Sequence, residues 1–512
     1  MKLFLDGHDL RYEMQSLCFA FFPGEPVESV GIPAGPAKKT DGVPEEDGDF
    51  VYTRIRRRGD LVSALVCVRR GGKIAREGER ARLKEGSLEG HGYDRECECA
   101  LGRALYRASG RLTGNRPQWG ILTGIRPVKL ARARLNAGMT PEAAANDLSR
   151  RYYLRPEKAR LCLESAREEQ RIVSLSRPDS ASLYISIPFC PSRCLYCSFI
   201  SHDIEKTAKL KPDYVRLLVE EIERTGELAS QLSLRLETVY VGGGTPTVLE
   251  AEELGRIMGA VRRSFNLDTL REYTVEAGRP DTITLEKLDA ITEGGADRIS
   301  INPQTLDDAI LRRIGRNHTS AQIFEAFALA RKAGVKSINM DLIAGLPGDT
   351  PEGFGRTLDG VVSLDPEAVT VHTLAMKRAS RLVTSGGGLY DAAAGDVAAM
   401  LDGAGERLSG AGYIPYYLYR QKNTLGGFEN VGFSKPGFEG LYNIFIMDET
   451  HTILSVGAGG VTKLRQPCGD LIERVFNFKY PYEYISRFNE IIDRKKKVKD
   501  FYASYSFDHS KG

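Results

Sequence analysis

Three of the nine cysteines in this 512-residue chain fall within eight positions, in the run CPSRCLYC. The spacing C-x3-C-x2-C sets Cys190, Cys194 and Cys197 on one short loop. Thiolates bind soft metals, so the grouping points to a metal. A structural zinc site takes four protein ligands, often as two closely spaced pairs, and no matching second pair lies nearby. Three thiolates suit a 4Fe–4S cluster with one iron left open, although four cysteines is the common number. Zinc, or no metal, remains the alternative on spacing alone. Cys97 and Cys99 form C-x-C elsewhere and read as buried or incidental.

A second run, VGGGTPT from Val241 to Thr247, has the glycines that let backbone approach a ligand closely. By itself it reads equally well as a tight turn. Glu276, Gln304 and Asp341 follow at or near the ends of apolar runs. A carboxylate in such a place is costly unless it is paired or hydrogen-bonded. Structural polar groups at a rim are the alternative reading of each. His202 and His318 read as solvated or core histidines, and Arg126 in PQWGILTGIRPVKL as an anion contact or a domain-seam residue.

The elements that must position these residues alternate. Strand patterns over 182–188, 237–244, 272–278, 296–302, 335–348 and 368–375 are separated by helical patterns. Such alternation builds parallel βαβ units. Six units predict an incomplete (β/α) barrel, with an open doubly wound sheet as the alternative. In both, ligands sit at the C-terminal strand ends, where the cysteines and glycines fall. Ahead of this, KLFLDG, SLCFAFFP, DFVYTRIRRR and LVSALVCVRR read as strands, followed by helices to residue 175. The expected division is 1–175, 176–380 and 381–512.

The length asks for more than one core. With 71 basic and 68 acidic residues the net charge is only +3, too little to argue for nucleic acid or an anionic membrane. No apolar run approaches a membrane span, and the first residues, MKLFLD, meet charge too soon for a signal peptide. A cytoplasmic protein is expected.

Cys190–Cys197 and GGGTP together resemble the radical S-adenosylmethionine (SAM) superfamily. YISIPFCPSRCLYCSF, VGGGTPT, RISINPQTL, IGRNHT and MDLIAGLPGDT resemble its oxygen-independent coproporphyrinogen III dehydrogenase family over about residues 180–465. ILTGIRPVKL and YRQKNTLGGFENVGFSKPGFEGLYN resemble that family's HemZ-like branch. The resemblance implies fold class α/β: a radical SAM partial (β/α)6 barrel with an N-terminal α+β extension and a C-terminal α+β domain covering the substrate. It implies a 4Fe–4S cluster on Cys190, Cys194 and Cys197 whose open iron chelates SAM. One electron then cleaves SAM to a 5′-deoxyadenosyl radical. By motif, SAM contacts carry over to Tyr184, Tyr196, Gly243, Gly244, Thr245, Glu276, Gln304 and Arg316, with Asp341 and Ala375 on the adenosine side and Val461 as an apolar contact. The implied reaction is oxidative decarboxylation of two propionates of coproporphyrinogen III to vinyls, giving protoporphyrinogen IX, with a low-potential electron donor as partner. Arg420, Lys422, Arg378 and Lys377 are candidate partners for the substrate's carboxylates, because cations pair with them.

Two positions depart from the family pattern. Phe199 stands where the dehydrogenases commonly have a fourth cysteine, and the resulting CSF resembles the HemW-type haem carriers instead. YNIFIM, from Tyr442 to Met447, stands where those carriers have HNxxYW. A haem-binding chaperone, or another radical SAM reaction on a tetrapyrrole, is therefore the alternative function.

Overall fold

Apolar residues crowd the strands on both faces, as parallel strands covered by helices require. Leu183, Ile185, Ile187, Val239, Val241, Val275, Ile299, Leu342 and Val371 are all buried. The structure, a computed structural model, describes residues 1–32, 47–83, 90–198, 202–375, 380, 393–421 and 424–505. The chain forms two units: residues 1–166 with 418–429, and residues 167–417 with 430–512.

In the first unit, β1 (Lys2–Asp6) pairs in parallel with β2 (Glu28–Ile32) and β3 (Phe50–Arg58). β4 (Leu61–Arg70) and β5 (Lys73–Arg82) extend the sheet antiparallel, in the order β2-β1-β3-β4-β5. SLCFAFFP, expected as a strand, lies mostly in helix α1 (Arg11–Phe21). Met14, Leu17, Cys18 and Phe21 are its buried residues, and that i, i+3, i+4, i+7 stripe is helical. Helix α2 (Gly90–Thr113) packs on β4 and β5, where Arg107 meets Glu77 and Glu79. α3 (Pro127–Asn136), α4 (Pro141–Tyr152) and the start of α5 (Pro156–Val173) complete the unit. Buried Glu429 accepts from Lys158 Nζ at 2.6 Å and Trp119 Nε1 at 2.5 Å, which fastens residues 418–429 into this unit.

In the second unit, β6 (Ser180–Ile187) leads into the short strands β7 (Phe189–Cys190) and β8 (His202–Asp203). Helices α6 (Ile204–Thr207) and α7 (Lys211–Gln231) precede β9 (Arg235–Gly243). Then come α8 (Ala251–Ser264), β10 (Glu272–Glu276), α9 (Leu285–Glu293), β11 (Arg298–Ser300), α10 (Asp308–Arg313), α11 (Ser320–Lys332), β12 (Ser337–Ala344), α12 (Pro351–Ser363) and β13 (Ala368–Thr373). The strands β6, β9, β10, β11, β12 and β13 lie side by side in chain order, all parallel. Side-chain oxygens of Thr284, Asp307, Thr319 and Thr350 cap the helix starts after the strand ends.

The sheet continues past both edges. Beside β13 come β15 (Glu429–Ser434), antiparallel, and then β14 (Ile414–Arg420). Beside β6 comes β16 (Thr452–Val456), parallel, and then antiparallel β17 (Val461–Arg465) and β18 (Ile472–Phe476). The strand order does not close on itself, so the barrel is partial. The three-part division read from the sequence differs from this grouping. Residues 430–512 go with the barrel strands, because β16 extends the parallel ladder of β6. Among the described residues no helix is long and apolar enough to cross a membrane.

Candidate functional site

β6 ends at Ile187, and Cys190 follows three residues later in β7. The glycine run locks onto this loop: Gly244 N–H donates to Ile187 O at 2.6 Å and Thr245 N–H to Phe189 O at 2.7 Å. A Cβ at Gly244 would stand 2.3 Å from Phe189 O, so no other residue fits there. Gly243 has φ +106°, which also favours glycine. Thr245 Oγ1 lies 3.5 Å from Cys190 Sγ, joining the two motifs side chain to side chain.

The other two cysteines rest on the turn after α10. Leu195 N–H donates to Ile314 O at 2.9 Å, and Ser192 Oγ to Gly315 O at 3.2 Å. Leu195 and Tyr196 pack on an apolar patch of Ile310, Leu311, Ile314, Ile343, Leu346 and Leu374. That patch shields one side of the thiol loop from water. Cys194 is buried, and Cys190 and Cys197 are half-buried. Among the described residues no three His, Cys, Asp or Glu side chains close on a single ion. Ligands of a cluster are set around a body of several atoms and need not converge so tightly.

Arg316 is 4% exposed and ties the strand ends to this loop. Its Nη2 donates to Gly278 O at 2.6 Å and Asn302 O at 2.7 Å, and its Nη1 to Tyr196 Oη at 3.2 Å. Its Nε has no hydrogen-bond partner, an opening for a ligand acceptor. Gln304 gives the matching signal. It holds φ +66°, uncommon for a non-glycine residue, and its buried Oε1 also lacks a partner. Two backbone bonds fix it, from Gln304 N–H to Asp341 O and from Ile343 N–H to Gln304 O.

Glu276 closes β10 and accepts from Tyr240 Oη at 2.7 Å. Its carboxyl is lifted to about 7, first by burial and then by nearby Asp341, against the lowering pull of Tyr240, the Gly243 backbone and His372. Asp341 behaves oppositely. Burial raises it, but His372, Asn339 and Thr370 together hold it below the usual range. Asn339 Nδ2 donates to it at 2.8 Å, and His372 Nε2 lies 3.8 Å away. The two carboxyls thus differ in readiness to carry charge. Tyr184 pairs in register with Tyr240 across β6 and β9. Both rings stack with Tyr442, with Tyr240–Tyr442 centroids 4.5 Å apart. Ala375 follows β13 and is buried, and Val461 opens β17 just after the loop Gly457–Gly460. A Cβ at Gly457 would meet Ser186 O, which puts that loop at the C-terminal end of β6.

Arg420 is not in this group. Its guanidinium donates to Leu122 O and to Gly427 O, lies 5.4 Å from the Trp119 ring, and is half-buried in the first unit. Two of its nitrogens, Nε and Nη1, are thus engaged by backbone carbonyls rather than left open for a carboxylate. Lys422, Arg378, Lys377 and Phe199 lie outside the described residues. Cys97, Cys99 and Arg126 line a cavity of about 880 Å³ in the first unit. His318 is buried with neither ring nitrogen partnered, and burial beside Arg316 and Arg279 pushes it down to about 3. His202 meets the Tyr480 ring edge-on.

Sequence reasoning missed Tyr240, Tyr442, His372 and Arg279. Strand alternation gives a signal for Tyr240, two before Gly242, and for His372, two after Thr370. Tyr442 lies in the first turn of a short helix, Leu441–Asp448, and Arg279 in the connection after β10, so neither carries a strand-alternation signal.

Residues 184–361 match the radical SAM superfamily. The chain is 42% identical over 388 residues to the oxygen-independent coproporphyrinogen-III oxidase-like protein HemZ of Bacillus subtilis, covering 75% of this chain and 77% of that one. It is 33% identical over 294 residues to the heme chaperone HemW of Lactococcus lactis, covering 56% and 70%. It is 34% identical over 196 residues to the oxygen-independent coproporphyrinogen III oxidase of Pseudomonas aeruginosa, covering 38% and 42%. The chain is a radical SAM oxidoreductase and belongs to the HemZ-type family of oxygen-independent coproporphyrinogen-III oxidase-like proteins.

Proposed function

We propose that the chain oxidatively decarboxylates two propionate side chains of coproporphyrinogen III to vinyl groups. The observation that carries its radical SAM chemistry is the meeting of Thr245 with Cys190, which brings the glycine motif onto the thiol loop. The cofactors are a 4Fe–4S cluster and SAM. When bound, they supply one-electron reduction of SAM and a species that abstracts hydrogen.

The chain's own residues bind, orient and exclude water. Cys190, Cys194 and Cys197 would hold the cluster. Gly243, Gly244 and Thr245 leave room for the amino group of SAM, and Glu276 is the carboxyl to receive it. Arg316 Nε and Gln304 Oε1 offer an unpartnered donor and acceptor. Asp341, kept ionised, suits sugar hydroxyls, with Tyr184, Tyr196, Ala375 and Val461 as further walls. At each propionate the β-carbon loses a hydrogen atom, the carboxylate leaves as CO2, and one electron passes to an acceptor. A vinyl group remains, and a low-potential donor protein is the expected partner for reducing the cluster.

Likeness to heme chaperones supports haem delivery as the second reading. Tyr442 favours the first. It opens the stretch where a haem carrier is expected to have HNxxYW, yet it is 6% exposed and stacked on Tyr240. The test is anaerobic reconstitution with iron and sulfide, then SAM, reductant and coproporphyrinogen III. CO2 and a divinyl product are expected. SAM cleavage without CO2, together with stoichiometric haem binding, overturns the proposal.

A further inference from the structure

Arg279 opens the turn that follows β10 and is 3% exposed. Its Nε lies 3.1 Å from Asp281 Oδ1 and its Nη2 3.2 Å from Asp281 Oδ2. That carboxylate takes one edge of the guanidinium and fixes its plane. Nη1 is directed at the cysteine loop instead, 3.1 Å from Ser192 Oγ and 3.8 Å from Cys194 Sγ. The Nη1–sulfur distance is within hydrogen-bonding reach for sulfur, and Cys194 is itself buried.

Resting on the cluster assignment above, we propose that Arg279 is a positioning and redox-tuning residue that donates to the Cys194 thiolate and raises the cluster's reduction potential. Reduction adds one negative charge, part of which resides on the ligand sulfurs. A cationic N–H donor at one sulfur stabilises that charge, and hydrogen bonds to sulfur are a known lever on cluster potential. Low accessibility strengthens the effect, since water does not screen it. Ser192 and Asp281 hold the donor in place, so the contact is built rather than a chance approach of a surface arginine.

The test is anaerobic potentiometry, followed by electron paramagnetic resonance, on wild type, Arg279→Gln and Arg279→Lys, with iron content measured on each. In Arg279→Gln, iron loading is expected to persist. The ratio of reduced to oxidised cluster at a fixed potential should fall at least tenfold, equivalent to 59 mV for a one-electron couple. Lysine keeps charge but has no fork to meet Asp281 and the thiol at once, so its midpoint is expected between the two. A loaded glutamine variant with an unmoved midpoint overturns the proposal and leaves Arg279 as a loop anchor. If that variant takes up no iron, the lysine variant decides: a midpoint equal to wild type overturns the proposal, and a lower one supports it. Absence of iron from reconstituted wild type sinks the cluster reading and this proposal with it.

Discussion

Tyr240 donates its hydroxyl hydrogen to Glu276 at 2.7 Å, at the end of β10 and beside the glycine run. The bond keeps a buried carboxyl partly in its charged form, yet burial still lifts it to about 7. A ligand ammonium placed there draws the proton off. SAM affinity is therefore expected to rise with pH through about 7, with proton release on binding. Calorimetry in two buffers of different ionisation enthalpy checks this. Glu276→Gln should bind several-fold more weakly and lose the pH dependence. A wild-type affinity flat from pH 6 to 8 contradicts the assignment.

The same group sets a sign for stability. Its folded value lies above the ordinary 4.5, so its contribution favours the folded state below 4.5 and fades as pH rises through about 7. Two buried histidines act in the other direction. His318 and His451 are each pushed down to about 3, mainly by burial. Their contribution is whole above 6.5 and is lost as pH falls towards 3. Urea unfolding of the ligand-free protein from pH 4 to 7 should show a shallower acid loss in His318→Gln than in wild type. Parallel curves for the two proteins would refute the histidine's share.

Gly244→Ala tests the seat of the cysteine loop. The new Cβ would meet Phe189 O at 2.3 Å and Ile187 O at 2.9 Å, both backbone atoms that cannot swing away. Overpacking of this kind costs about 1–3 kcal/mol. Because Phe189 adjoins Cys190, iron loading should fall with it. Iron assay and melting temperature report the two effects, and normal loading would show that the loop is seated by other contacts.

Arg420→Ala is expected to act on stability rather than on substrate. It strips donors from the carbonyls of Leu122 and Gly427 in a half-buried setting. A loss of about 2–4 kcal/mol follows from hydrogen bonds to a charged group. Denaturant unfolding measures it, and KM for the tetrapyrrole should stay within twofold. A raised KM with unchanged stability would restore the substrate role.

Much of the barrel unit was legible because its physics is local. Alternating buried residues such as Leu183, Ile185 and Ile187 mark a strand, and the cysteines and glycines stand where such strands end. Arg420 was not legible. Its partner Leu122 O is a backbone atom about three hundred positions away, and a basic residue in an aromatic run reads the same whether it meets a ligand or a carbonyl. The α1 segment misled because SLCFAFFP is too short a window. Met14, just outside it, completes the helical stripe. β16 pairs with β6 across more than 250 positions, so the sequence rhythm placed it in a separate domain while the ladder joins it to the barrel.

The most direct test of the central claim follows the hydrogen. Coproporphyrinogen III carrying deuterium at the propionate β-carbons is turned over anaerobically by the reconstituted enzyme with SAM and reductant. Deuterium is expected in 5′-deoxyadenosine, with CO2 released and vinyl groups formed in the product. SAM cleavage that leaves all the deuterium on an unchanged tetrapyrrole would contradict decarboxylation at this site.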